Sequence, residues 1–462
     1  MESEKPKVVL VIPNYNTVHQ NAPYSLGCLS SFLKVNGIDC KILDGVRLNC
    51  SNEKLVELIS KENPSIVGIS CLSSFYNESK ELAVLLKKNG QKVFMGGHHP
   101  SFMPYETLKE TGCDYVICGF GELAITKLIK QNYGNEGIKG VYKLADFKSE
   151  TDEFEFAECV ENLDELPFAD WEEIQPLKYQ SSPWGLFTKN SPFAQIVTQR
   201  GCRFRCTFCG ASTFSNHSLL KRSPENVLEE LKYLKNNFGI KEIQFLDSNI
   251  ISDRKNITKL CNLMIESGLN MSWSCPNGIR AHMLDEELAV LMKKAGCYLV
   301  AFGIESSDPQ ILKNIKKDET IEQITEAINI THKVGLISVG FFILGLPGET
   351  KETIENTIKY AVNVPLDRAQ FTVLDVFPGS ELWTCSGKDT KIMDAKTSYF
   401  KPAIVSDELT EEYILQAQRK AILRFYSKPR RWFNFLKSIR FHQLKYAYAR
   451  IPQYLHFERR EN

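Results

Sequence analysis

The sequence carries no charge excess of either sign, because 56 Lys and Arg residues balance 56 Asp and Glu residues over 462 positions. A general nucleic-acid binder needs a basic surplus to neutralise phosphates, so that class is excluded unless a local patch supplies it. Long apolar runs are also missing. The longest, Tyr298 to Ile304 and Val339 to Leu346, fall well short of the roughly 18 residues that span a bilayer. Nor does the opening stretch, Met1-Glu-Ser-Glu-Lys-Pro-Lys7, have the shape of an export signal. These absences make the cytoplasm the expected location. Wholesale disorder is excluded too, since 43% hydrophobic and 24% charged residues are ordinary for folded cores. At roughly 100 to 200 residues per domain, the length implies about three domains rather than one small module.

Cysteine, by contrast, is plentiful. Without an export signal, the 14 thiols are expected to ligate metal, to react or simply to be buried, not to form a disulfide framework. Eleven are scattered singly, among them Cys28, Cys40, Cys113, Cys261 and Cys385, and read as small buried hydrophobes. Cys202, Cys206 and Cys209 are clustered.

Residues 1–145 repeat an apolar strand followed by an amphipathic helical stretch, with strands at Val8–Ile12, Ile38–Leu43, Ile66–Ile69, Val93–Met95 and Tyr115–Cys118. The spacing is that of βαβ units, and predicts an α/β fold built on a doubly wound, five-stranded parallel sheet. Ligands bind such sheets beyond the carboxyl ends of the strands. Residues 146–190 change character, with acidic stretches and Leu163-Asp-Glu-Leu-Pro167, and read as a linker. Over residues 191–385 six further strands alternate with helices, at Gln195–Gln199, Glu242–Leu246, Met271–Cys275, Tyr298–Gly303, Val339–Leu344 and Ala369–Leu374. That pattern predicts a partial (β/α)6 barrel whose site lies at the C-terminal strand ends. The clustered cysteines come just after its first strand. Residues 386–462 form a helical C-terminal segment, in which Lys428–Arg460 holds nine Lys or Arg against one Glu, with eight aromatics interleaved. Such a stretch reads either as a helix packed on the barrel or as a contact for a membrane surface or lipid substrate.

Gln199-Arg-Gly-Cys-Arg-Phe-Arg-Cys-Thr-Phe-Cys-Gly210 spaces its thiols as Cys-x-x-x-Cys-x-x-Cys. Three thiolates on a four-iron cluster leave one iron free for another ligand. The neighbouring Arg200, Arg203 and Arg205 would favour thiolates and offset cluster charge. A tetrahedral zinc site is the alternative, for which His217 is the nearby fourth ligand.

With Phe208 before the third cysteine, this segment resembles the radical S-adenosylmethionine (SAM) enzymes. Further motifs follow in order at strand ends: Asp247-Ser-Asn249, where members often carry two acidic residues and Ser248 replaces one; Arg280; Gly303-Ile-Glu305-Ser306; and Gly345-Leu-Pro-Gly-Glu349. The resemblance implies that Cys202, Cys206 and Cys209 hold a 4Fe-4S cluster. It also implies that Phe208, Asp247, Asn249, Arg280, Glu305, Ser306 and Gly345 surround SAM. In the N-terminal part, Ser70-Cys-Leu72, Gly96-Gly97-His98-His-Pro100 and Asp114-Tyr-Val-Ile-Cys-Gly119-Phe-Gly-Glu122 resemble the cobalamin-binding domains fused to one branch of these enzymes. Ser70, Leu72, Gly96, Gly97, His98, Gly119 and Glu122 are the residues this likeness places near cobalamin. Asn14-Tyr-Asn-Thr-Val-His-Gln20 stands where other cobalamin proteins have Asp-x-His-x-x-Gly, so a histidine ligand to cobalt is not expected.

As the family is understood, the reduced cluster cleaves SAM to a 5'-deoxyadenosyl radical, which removes hydrogen from an unactivated carbon. In its methylases that carbon then captures a methyl group loaded on cobalamin. The expected activity is C-methylation of a small-molecule or lipid substrate, with flavodoxin or ferredoxin as electron donor. Radical cyclisation or ring rearrangement without methyl transfer is the second reading. A corrinoid-binding carrier or sensor with structural zinc is the third.

Overall fold

The computed structural model describes residues 6–15, 17, 21–179, 188–385 and 408–431. Its N-terminal sheet contains β1 (Lys7–Ile12), β2 (Asp39–Asp44), β3 (Ile66–Ser70), β4 (Val93–Gly96), β5 (Tyr115–Ile117) and β6 (Val141–Tyr142) in the order β2-β1-β3-β4-β5-β6. The first five are parallel, as the βαβ spacing predicts. Val8 to Val11 are wholly buried, as befits a strand covered by helices on both faces. The sheet has one strand more than expected: β6 pairs antiparallel with β5. Two residues are too few to carry an alternation signal.

The second sheet is assembled from β7 (Phe193–Ile196), β10 (Glu242–Phe245), β11 (Ser272–Ile279), β12 (Cys297–Glu305), β13 (Ile337–Leu344) and β14 (Arg368–Val373). All are parallel, in the order β14-β13-β12-β11-β10-β7, which is the arc of an open barrel. Its first strand is shorter than expected. The amide of Thr198 donates to the Asp247 carboxylate at 3.0 Å, and the chain then leaves the sheet. Gln199–Gly201 (β8) pairs instead with Leu219–Lys221 (β9) in a separate antiparallel hairpin. Helices open on side-chain caps: Ser51, Ser223 and Asp285 accept from Lys54, Asn226 and Leu288 amides.

Residues 146–179 act as a strap rather than a spacer. Trp171 is 1% exposed and donates to Glu230 at 2.9 Å. Asp170 accepts from Ser30 at 2.6 Å and pairs with Lys34 at 2.7 Å. Tyr179 donates to Asp44 at 2.7 Å. The strap thus carries side chains into both sheets' surroundings, and one apolar cluster runs through Leu10, Leu33, Trp171, Ile174, Ile196 and Phe245. The Glu411–Tyr426 helix covers the edge strand β14, with Gln418 donating to the Phe371 carbonyl at 2.8 Å. Most of the basic Lys428–Arg460 stretch lies outside the described residues. No helix among the described residues is long and apolar enough to cross a membrane.

Candidate functional site

The three clustered cysteines lie on the connection enclosed by β8 and β9. Its backbone is tied down at several points: Cys209 N donates to the Cys206 carbonyl, Thr207 N to the Ile315 carbonyl, and Leu382 N to the Thr207 carbonyl, at 2.9 to 3.1 Å. Burial pushes the Cys209 thiol up to about 11. It raises Cys206 as well, opposed there by the charges of Arg280 and Lys317. Among the described residues, no three His, Cys, Asp or Glu side chains converge as they would around a single ion. The buried Thr207 hydroxyl has no hydrogen-bond partner among the described residues. Three thiols with a spare donor between them fit a cluster whose sulfides accept hydrogen bonds.

The residues expected to surround SAM fall into two groups. Arg280 and Glu305 belong to one buried network with Lys317 and Glu319. Arg280 Nη2 donates to Cys206 Sγ at 2.8 Å, and Nη1 lies 3.3 Å from Glu319. Lys317 Nζ donates to Glu305 at 3.0 Å and lies 3.7 Å from Glu319. Two cations and two carboxylates, each at most 8% exposed, therefore balance one another. Local backbone geometry aims Glu305: a register shift breaks the β12–β13 ladder between Gly303 and Glu305, and Glu305 itself has φ of 64°. A left-handed conformation costs a non-glycine residue energy that the surroundings must supply. Gly303 makes room, because a Cβ there would stand 2.5 Å from the Glu305 carboxylate and 2.8 Å from Lys317 Nζ. Phe208 is half-buried against the main core.

The second group hold strand-end loops in shape. Asp247 accepts from the Thr198 amide and hydroxyl, and burial raises its pKa to about 6. Asn249 accepts from the Arg280 amide at 3.3 Å. Ser306 lies 3.2 Å from the Thr357 hydroxyl. The Gly345 and Leu346 amides both donate to Glu349, at 2.7 and 3.0 Å. Lys317, Glu319 and the ring of Phe204, 4.0 Å below the Arg280 guanidinium, were not anticipated. In sequence, Lys316-Lys-Asp-Glu319 reads as a solvated charged run.

The residues expected to line cobalamin gather at the carboxyl ends of β3, β4 and β5. Leu72 is 46% exposed at this edge, and Ser70 is half-buried. Gly97 has φ of 107°, and a Cβ there would stand 2.5 Å from the Cys71 carbonyl. Ser101 joins the glycine turns by accepting from Gly119 N at 2.8 Å and donating to the Gly97 carbonyl at 2.7 Å. This is a cradle of bare backbone edged by an exposed apolar side chain, which fits close approach of a large flat ligand. Tyr15 and Phe75 stack at 4.4 Å beside the switch point between β1 and β3. His99 is 1% exposed, lies 3.1 Å from Ser73, and has its pKa lowered to about 3 by burial.

Two of these residues reach across to the cysteine loop instead. Glu122 forms an ion pair of 2.7 Å with Arg200. His98 packs its ring against Gly210, next to Cys209, where a Cβ would stand 2.6 Å from its Nε2, and burial lowers its pKa to about 4. It stacks on Phe214 at 5.8 Å, and the rings of Phe102, Phe120 and Phe156 close on the same phenylalanine at 5.3 to 6.2 Å. The strand ends of both sheets consequently share one junction.

Comparison with known proteins agrees with this architecture. A model of the radical SAM superfamily matches residues 196–361, and one of the B12 binding domain matches residues 16–129. An uncharacterized methyltransferase of Pyrococcus horikoshii is 32% identical over 437 residues, covering 92% of this chain and 93% of its own. The anaerobic magnesium-protoporphyrin IX monomethyl ester cyclase of Rubrivivax gelatinosus is 26% identical over 437 residues, covering 91% and 77%. The structure of the radical SAM methyltransferase TsrM from Kitasatospora setae, with cobalamin and a 4Fe-4S cluster bound, superposes with a TM-score of 0.67. It covers 82% of this chain and 77% of its own at 20% identity, and shares the fold. Similar along nearly its whole length, the chain belongs to the radical SAM enzymes that carry a B12-binding domain.

Proposed function

We propose that this protein is a cobalamin-dependent radical SAM methyltransferase acting on an unactivated carbon of a small molecule. The observation that supports this most is the shared junction: His98, beside the glycine cradle, touches Gly210, beside Cys209. Methyl transfer needs both cofactors to face one carbon. When bound, the cluster and SAM supply a substrate radical and cobalamin supplies the methyl group.

In this reading Cys202, Cys206 and Cys209 hold the cluster. Glu305 and Arg280 meet the charged end of SAM, while Asp247, Asn249, Ser306 and Gly345 shape the loops around it. Ser70, Leu72, Gly96, Gly97 and Gly119 form the cobalamin cradle. The aromatic rings around Phe214 exclude water from the junction. The proposed electron donor is a flavodoxin or ferredoxin. A lipid substrate, or contact with a membrane surface, is favoured only by the basic, aromatic Lys428–Arg460 sequence. The Rubrivivax gelatinosus relative favours a second reading, radical cyclisation without methyl transfer.

The test is an anaerobic assay of reconstituted full-length protein with SAM and reductant, read by mass spectrometry. Methyl transfer yields S-adenosylhomocysteine as well as 5'-deoxyadenosine. Formation of 5'-deoxyadenosine alone, with corrinoid bound and substrate turned over, would favour cyclisation. Protein that holds zinc and no iron or sulfide would overturn both.

A further inference from the structure

We propose that Arg280 sets the reduction potential of the cluster by donating a fixed hydrogen bond to the Cys206 sulfur. The inference rests on Cys202, Cys206 and Cys209 holding a 4Fe-4S cluster, and it gives Arg280 a task beyond contact with SAM.

Arg280 is held so that one face of its fork points at sulfur. Its amide donates to Asn249 at the end of β11. Its guanidinium carbon lies 4.0 Å over the Phe204 ring, which fixes the plane of the group. Within that plane Nη1 is taken by the Lys317 carbonyl and by Glu319, and Nη2 donates to Cys206 Sγ at 2.8 Å. Glu319 is fixed in turn, since the backbone amide and ring of His282 each lie 3.1 Å from its other oxygen. Rotating Nη2 away from the sulfur would break the stacking and both other contacts. The side chain is 7% exposed, so water scarcely screens it.

The charges around the guanidinium cancel: Arg280 and Lys317 face Glu305 and Glu319. What remains at Cys206 is a directed, charge-assisted donor rather than a broad positive field. Hydrogen bonds to the sulfurs are among the factors that set cluster potentials. Nη2 would donate more strongly to the Cys206 sulfur once a bound cluster had accepted one electron from the proposed flavodoxin or ferredoxin donor. Arg280 neither gains nor loses a proton, and no covalent bond changes. A potential raised in this way lets a mild biological donor load the site before SAM is cleaved.

The experiment is a redox titration of reconstituted full-length protein, followed by electron paramagnetic resonance in the absence of SAM. Arg280→Gln should keep its iron and sulfide yet show at least a tenfold lower reduced-to-oxidised ratio at the same poised potential. That is a midpoint about 59 mV lower for a one-electron couple. Glu305→Gln serves as the contrast: it weakens SAM binding and leaves Lys317 unbalanced, but keeps the bond from Arg280 to Cys206, so its midpoint should not fall. An unchanged midpoint in Arg280→Gln, with only SAM affinity lost, would overturn the proposal and leave Arg280 a SAM contact. If Arg280→Gln cannot hold iron, Phe204→Leu carries the test, because it keeps the guanidinium but removes the ring beneath it. A lower midpoint then supports the proposal, and an unchanged one refutes it. Failure of the cluster assignment is a separate result: it is full iron and sulfide content in the variant with all three cysteines changed to Ala.

Discussion

Replacing Glu122 by Gln should loosen the cobalamin-binding domain from the cysteine loop while leaving each folded. Glu122 and Arg200 side chains are 9% and 14% exposed at a separation of 2.7 Å. Burial opposes the Arg200 charge, but Glu122 together with Cys28 and Tyr24 outweighs it and the arginine pKa is raised. Breaking a buried pair typically costs about 3–5 kcal/mol, because one charge is left uncompensated. Two features reduce that here. Some solvent reaches Arg200, and the Phe120 ring, 5.1 Å from its guanidinium, supplies a cation–π contact of about 1 kcal/mol. The expected loss is therefore about 2–3 kcal/mol. Urea unfolding of the full chain, followed through its tryptophans, should show it as an earlier transition. Arg200→Gln and the double variant complete a double-mutant cycle, in which the coupling should exceed about 1 kcal/mol. The strap at residues 146–179 should also become more sensitive to protease. Additive losses, with coupling below about 0.5 kcal/mol, would show that the pair is not what joins the domains.

Other perturbations test separate parts of the structure. Burial raises the Glu242 pKa from 4.5 to about 7, so the folded state retains a proton that the unfolded chain has released across that window. Stability should fall as pH rises from about 4.5 to 7, and Glu242→Gln should flatten that slope by up to one proton in urea unfolding at stepped pH; an identical slope would refute it. Gly97→Ala should lower the corrinoid bound per chain while leaving iron content unchanged, because its Cβ would meet the Cys71 carbonyl; full corrinoid loading would remove the cradle from the argument. Arg431 donates to the carbonyls of Ala361, Val362, Val364, Leu366 and Phe425, so Arg431→Ala should cost at least about 2 kcal/mol in thermal unfolding. An unshifted transition would mean that water replaces it.

The parts of the fold legible in sequence were those written in strong periodicity. Val8–Ile12 is a continuous apolar run because helices cover both faces of its sheet. Val339–Leu344 is one because Phe342 and Leu344 pack with Ile354 and Ile358 of the outer layer, while Val339 and Phe341 pack with Leu299 and Ala301 on the opposite face. The antiparallel β6 was not legible, because two residues have no period. The hairpin of Gln199–Gly201 was hidden for another reason. Its departure from the sheet depends on Asp247, 49 positions beyond Thr198, capturing the Thr198 amide. Site residues divide in the same way. The cysteine spacing is local, and so are the glycine turns. Glu305 and Arg280 are 25 positions apart and were placed together only through the family pattern. Lys317 and Glu319, which link them, sit in a charged run that looks solvated until the β12 bulge turns Glu305 toward it.

The junction also bears on how two cofactor sites could be kept in register. A flexible linker would leave their separation to chain statistics, whereas residues 146–179 are pinned by Trp171, Asp170 and Tyr179 to helices and strands of both halves. The remaining freedom is rotation about the strap. His98 on Gly210, Glu122 on Arg200 and the rings around Phe214 oppose that rotation at three separate points. Each contact joins a residue beside the glycine cradle to one within a few positions of Cys202 or Cys209. Any shift of the N-terminal domain must therefore displace the backbone that carries the thiols. The distance between the glycine cradle and the cysteine loop is therefore set by side-chain packing rather than by chain statistics.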